Sequence, residues 1–326
     1  MKRLLMGLLA PLMAPMVLMA LPTMLHAQPY PNKPVKIIVG FGPGSGTDII
    51  ARIVADEMQK ALKQPFVVEN KPGATAAIAA EMVARSQADG YTLFITSNSS
   101  HSVNPHLYKT LRYDPLKDFT PIGRIADFPF LLAVDPKLPI TTPQELVAYA
   151  RANRGKASYA YGNTPGQIAG AALNTLMKLE MTAVPYKSSP QAIVDVASGL
   201  EVFLVVDFAS SQSFVKAGRL RAIAVTTSTR STLAPDLPTL GETLGLEGYD
   251  LRAWTGMFAP ADLPKEITER LSAELEKIMG RADIRERLNG GGMEPTPSTA
   301  EQFSRFLTEQ YAVWGKKIKD AGIQPE

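Results

Sequence analysis

Short apolar runs alternate with amphipathic stretches along most of the chain. Val35, Ile37, Ile38 and Val39 form a β-branched run of the kind found in strands buried on both faces. Gly40, Gly42, Pro43, Gly44, Ser45 and Gly46 then interrupt it, and Ile50, Ile53, Val54, Met58 and Leu62 recur every three or four residues. That spacing predicts a helix with one apolar stripe, started by Thr47 and Asp48, whose oxygens can accept from free first-turn amides. Phe66, Val67 and Val68 predict a second strand, residues 70–73 a turn, residues 74–88 a small-residue helix and residues 92–96 a third strand. Residues 97–104 (SNSSHSVN) read as a polar loop at the carboxyl end of that third strand.

The pattern restarts further on. Apolar runs at 119–125 and 130–134 carry the chain across to a second region, followed by a helix over 143–154 and a strand over 158–161. The loop Gly162-Asn163-Thr164-Pro165-Gly166 precedes a helix over 167–179, repeating the opening arrangement. Residues 183–186 are extended, Ser188-Ser189-Pro190 cap a helix over 191–197, and strands follow over 204–207 and 220–227. Trp254 to Ala259 reads as a return strand, with helices over 265–279, 282–288 and 300–320. The last carries Phe303, Phe306, Leu307, Tyr311 and Trp314 at helical spacing, a core stripe. The expected architecture is α/β. One lobe comprises residues 28–127 and 251–326, the other 128–250, with a hinge of two crossing segments near Ile125 and Asp250.

Composition narrows the setting. Met1-Lys2-Arg3 followed by an uncharged, Leu- and Met-rich stretch to Met24, with Ala27 before Gln28, predicts an export signal cleaved after Ala27. A membrane anchor competes, but Pro11, Pro15 and Pro22 oppose a stable spanning helix. With no cysteine, neither a lipid-anchored lipoprotein nor a disulfide is expected. Loss of Lys2 and Arg3 lowers the formal charge from +3 to +1, which gives no reason to expect nucleic acid or an anionic membrane as partner. The expectation is a free periplasmic protein.

The glycine loop aims a helix N-terminus out of a parallel strand, where unpaired amides and the positive dipole end receive anions. It is not a dinucleotide fingerprint: from Gly42 the loop reads G-P-G-S-G-T, with Thr47 at the third required glycine. No Gly-Lys-Ser/Thr follows, which excludes a P-loop. Beyond the signal the histidines are His101 and His106, both in one loop. Without a G-x-S-x-G elbow a serine hydrolase is disfavoured, and without clustered ligands neither a metal nor another cofactor is expected. The reading is capture of a small carboxylate without chemistry.

The residues also carry a family resemblance. Tyr30-Pro31-Asn32-Lys33-Pro34, Pro43-Gly44…Asp48, Val68-Glu69-Asn70-Lys71-Pro72-Gly73-Ala74, Asp89-Gly90-Tyr91-Thr92-Leu93 and Tyr113-Asp114-Pro115 stand in its order. So do Val184-Pro185-Tyr186-Lys187, Lys216-Ala217-Gly218-Arg219-Leu220, Leu237-Pro238-Thr239 and Trp254…Gly256…Ala259-Pro260. In these the chain resembles the substrate-binding proteins of the tripartite tricarboxylate transporters, the Bug family. The resemblance implies a two-lobed, type II-like periplasmic binding protein that closes on its ligand. It also implies carboxylates held by amides, hydroxyls and water, and a membrane permease as partner. The chain departs from the family pattern at Ser45 (a glycine), at Gln167 and Ala171 (His and Glu) and at Ser188-Ser189 (a Gly-rich turn). These departures bear on the ligand rather than the fold.

The expected ligand-binding residues are Phe41, Ser45, Gly46 and Thr47 in the first loop, and Ser97, Asn98 and Ser102 after the third strand. From the second lobe they are Gly162, Asn163, Thr164, Gly166, Gln167, Ser189 and Asp207. Phe41 and Phe128 offer an apolar wall, and Lys187 or Arg124 are the alternative anion partners. The protein is expected to be a monomer. An alternative role is a ligand-loaded partner of a periplasmic signalling receptor.

Overall fold

The computed structural model describes residues 30–186, 188–246 and 249–325. The expected export signal and Lys187 lie outside them. Strands β1 (Val35–Val39), β2 (Phe66–Asn70) and β3 (Thr92–Ser97) are parallel neighbours, with α1 (Gly46–Leu62) and α2 (Ala77–Ala84) between them in sequence. A π-helical turn (Ser99–Val103) and α3 (Asn104–Leu107) lead to β4 (Phe119–Val134). Then come α4 (Pro143–Ala152), β5 (Ser158–Tyr161), α5 (Thr164–Leu176), β6 (Thr182–Pro185), α6 (Ser189–Ala197) and β7 (Phe203–Asp207). The chain continues through α7 (Phe208–Lys216), β8 (Arg221–Val225), α8 (Leu240–Leu244) and β9 (Arg252–Pro260). It closes with α9 (Lys265–Gly280), α10 (Ala282–Gly290), β10 (Glu294–Pro295) and α11 (Ala300–Asp320).

The sheet order is β2-β1-β3-β9-β4-β7-β5-β6, with β8 and β10 also paired to β4. Strand β4 is the shared element. Its residues 119–129 pair antiparallel with β9, and residues 130–134 with β7 and β8. The two apolar runs expected as separate segments are thus one strand that changes partners at Pro129/Phe130, past Ile125. Pro121 sits where the register slips, and Pro129 at the last pair with β9, so neither breaks the ladder. Helix α9 packs on α1 and β4, and α11 on β4 and α3, so the C-terminal segment covers the strands of the first region.

On one face, Ile37, Val39 and Ile95 pack with Ile50 and Val54 of α1; on the other, Phe94, Trp254 and Phe258 pack with Phe303 and Leu307 of α11. Several local expectations need correction. Ala74, Thr75 and Ala76 have φ of 45°, 51° and 70°, so α2 starts at Ala77 rather than at residue 74. Asn104 donates to the Thr75 carbonyl and anchors this left-handed run. Residues 98–104, read as a polar loop, form a buried helical segment. Phe208–Lys216 forms a helix where only the end of a strand was expected.

Candidate functional site

The first loop is built around Asp48. Ser45, not Thr47 or Asp48, is the N-cap of α1: its hydroxyl accepts from the Asp48 amide at 3.2 Å. The Asp48 carboxylate instead accepts from the Gly44 amide (2.9 Å), Arg52 Nε (3.0 Å) and Asn70 Nδ2 (2.8 Å). Asn70 also donates to the Phe41 carbonyl, tying the loop to the end of β2. Burial alone would raise the Asp48 pKa, but the bonds from Arg52, Gly44 and Asn70 outweigh it and hold the carboxyl below its ordinary range. Among the described residues, the Gly46 and Thr47 amides and the Thr47 hydroxyl donate to nothing. They are the free groups of this helix end. A Cβ on Gly46 would lie 2.6 Å from Phe128 Cε1, so α1 begins directly against that ring.

After β3, Asn98 and Ser102 are fully buried, and neither amide atom of Asn98 nor the Ser102 hydroxyl has a partner among the described residues. Ser97 is turned to Ser99 through a 3.1 Å hydroxyl contact. His101 stacks on Phe258 with centroids 3.9 Å apart, and burial lowers its pKa to about 3, leaving a neutral packing residue. His106 contacts the Tyr311 carbonyl through Nε2.

In the second region the structure brings Gly162, Asn163 and Ser189 together. A Cβ on Gly162 would lie 2.3 Å from the Ser189 nitrogen. Asn163 caps α5, accepting from Gly166 N at 2.8 Å and donating to Ser189 Oγ at 3.0 Å. The helix therefore starts at Thr164, not at residue 167. The Gly166 amide is spent on the cap and the Gln167 amide on the Asn163 carbonyl. Neither is available to a ligand as expected; among the described residues the Thr164 amide and hydroxyl, the Gln167 side chain and the Ser189 amide donate to nothing. Asp207 is committed as well: it caps α7, accepting from Ser210 N (2.8 Å) and Ser210 Oγ (3.1 Å). It pairs with Phe130 on β4, two residues from the Phe128 ring under α1. The two loop sets thus flank the point where β4 changes partners.

Charge is concentrated beside that point. Asp127 is fully buried between Arg124 and Arg252, and Arg252 also clasps Asp250 at 2.8 Å. Burial raises the Asp127 carboxyl above its usual range, opposed by the two guanidiniums. Arg124 further stacks on Phe306 at 3.9 Å, and its Nε is buried without a hydrogen-bond partner among the described residues.

A model described as "Tripartite tricarboxylate transporter family receptor" matches residues 50–323. The chain belongs to this family. BugT of Bordetella pertussis is 31% identical over 303 residues, 91% of this chain and 92% of its own. The structure of R. palustris Rpa4515 with adipate superposes with TM-score 0.81 at 34% identity, covering 91% of this chain and 100% of that one. MatC from Rhodopseudomonas palustris with bound malate gives TM-score 0.75 at 28% identity, covering 89% and 100%. The family is one of solute-binding receptors rather than enzymes, and the fold is its two-lobed periplasmic-binding-protein fold. Among the described residues no helix of this receptor is long and apolar enough to cross a membrane. Sequence reasoning missed one buried polar side chain on strand β9, Thr255. It lies inside an apolar run, and only its register beside Ser97 exposes it.

Proposed function

We propose that this receptor captures a small organic carboxylate between residues 30–127 with 251–325 on one side and 128–250 on the other. It then presents the ligand to a membrane permease of the tripartite tricarboxylate type. Cleavage after Ala27 leaves it free in the periplasm, where it works as a monomer. The reading is supported by relatives of the same fold holding adipate and malate. One observation in this chain carries it. Among the described residues, the Gly46 amide and the amides and hydroxyls of Thr47 and Thr164 at the two helix starts donate to nothing. The segments 40–47, 97–104 and 162–167 contain no lysine or arginine.

Such donors suit a carboxylate in a desolvated cleft, where each charge-assisted bond contributes about 1.5–3 kcal/mol. Ser45, with its hydroxyl proton still free to donate, and Phe41 complete the first side; Ser189 and the Gln167 side chain complete the second. Bonds made only when both sides approach couple binding to closure.

Calorimetry with a panel of mono-, di- and tricarboxylates tests this. Thr47→Val with Thr164→Val keeps shape and removes two hydroxyls, so affinity for the best ligand should fall at least tenfold on that scale. Unchanged affinity in the double variant would refute the site, and binding of no carboxylate by the parent protein would refute the function.

A further inference from the structure

Thr255 is fully buried in β9, and its hydroxyl has no hydrogen-bond partner among the described residues. Buried polar groups are nearly always paired, so an orphan at the centre of a sheet calls for a physical account. Register puts Thr255 opposite Ser97 of β3 and Ala126 of β4, at the carboxyl end of β3. Alternation fixes its face. Trp254 and Phe258 belong to the α11 side of the sheet, while Ala253 and Met257 pack on the side of α1. Thr255 therefore points to the α1 side. One step along that face the pair is Ala253 with Phe128, the ring against which Gly46 begins α1. Its hydroxyl thus sits on the sheet floor beside the first turn of α1.

Two more orphans stand at the same strand end: the Asn98 amide immediately after Ser97, and the Ser102 hydroxyl one helical turn on. The three offer donors and acceptors and carry no charge. A β-strand packed on this face would be served as well by valine, so packing does not call for the hydroxyl.

We propose that Thr255 is a specificity-determining residue of the cleft. With Asn98 and Ser102 it receives a second oxygen-bearing group of the ligand, a hydroxyl or a further carboxylate, while the helix starts hold the first carboxylate. This rests on the carboxylate reading above.

The test is calorimetry on the mature chain with matched acids. The four-carbon set is butyrate, 3-hydroxybutyrate, succinate and malate; the six-carbon set is hexanoate, 6-hydroxyhexanoate and adipate. The parent protein should bind at least one oxygen-bearing acid tenfold or more tighter than its plain partner. Thr255→Val should erase most of that preference and leave the plain acid unchanged, and Thr255→Ser should restore it. The arm that shows the preference distinguishes hydroxyl from carboxylate. The unliganded melting temperature of Thr255→Val should not fall, because the variant removes an unpaired polar group. A preference unchanged in Thr255→Val, or an equal loss for every acid, overturns the assignment while leaving the carboxylate reading standing. Binding of none of the acids overturns that reading, and this assignment with it.

Discussion

On the proposed function, single side chains divide into those that shape the cleft and those that meet the ligand. Asp48 belongs to the first group. Its native pKa lies below that of the unfolded chain, so its contribution is complete above the unfolded value of about 4. It is lost as pH falls through the native value. The urea midpoint should therefore drop between pH 6 and pH 3, and Asp48→Asn should both lower the midpoint at pH 6 and flatten that drop. Asn98 belongs to the second group. Because it is buried with both amide atoms unpaired among the described residues, Asn98→Ala should weaken ligand binding at least tenfold with little change in the midpoint. A large loss of stability with normal binding by the folded fraction would make it a structural residue instead.

Elements explain how much could be read in advance. The repeated strand–loop–helix order, the limits of α11 and the stripe it buries were legible, because strong apolar periodicity and a Thr299…Gln302 capping box agree there. The segment after β3 was not. Its run of serines and asparagines reads as loop, yet Tyr113 donating to the Ser100 carbonyl and His101 stacked on Phe258 hold it inside as a π-helical turn. Helix α7 was hidden because Asp207 both ends β7 and caps the helix. In the second glycine loop the spent donors were not legible: the Asn163 side chain takes the Gly166 amide and the Asn163 carbonyl takes the Gln167 amide.

Two variants probe the elements directly. In Gly46→Ala the new methyl meets the Phe128 ring, so the ring or the start of α1 must shift; affinity should fall, and Phe128→Leu should recover part of the loss. Equal losses in the single and double variants would remove that contact from the account. On α11, Lys317 is held by the Asp250 carbonyl at the entrance to β9. Burial lowers its pKa to about 8, partly offset by Asp250, while Arg252 lowers it further. The native state therefore gives up that proton earlier than the unfolded chain does, and stability should rise with pH from about 8 towards 10. Lys317→Met should weaken that rise in a pH series of melting curves.

At the scale of the whole molecule, a receptor that closes on its ligand should become both smaller and harder to unfold. Ligand at 100 times Kd should add about 2.7 kcal/mol to stability, and small-angle scattering should record a reduced radius of gyration. A stabilised protein of unchanged radius would mean that the cleft is already shut before binding. The feature with the widest consequence is the unbroken strand β4, bonded on its first eleven residues to β9 and on its last five to β7 and β8. Strands loaded along their length share tension over many bonds at once, unlike a linker, which simply extends. Pulled in an optical trap through handles at the two ends of β4, the protein should therefore give way in one rip rather than two. The strand that carries motion between the halves would also be the seam that denies them separate mechanical lives.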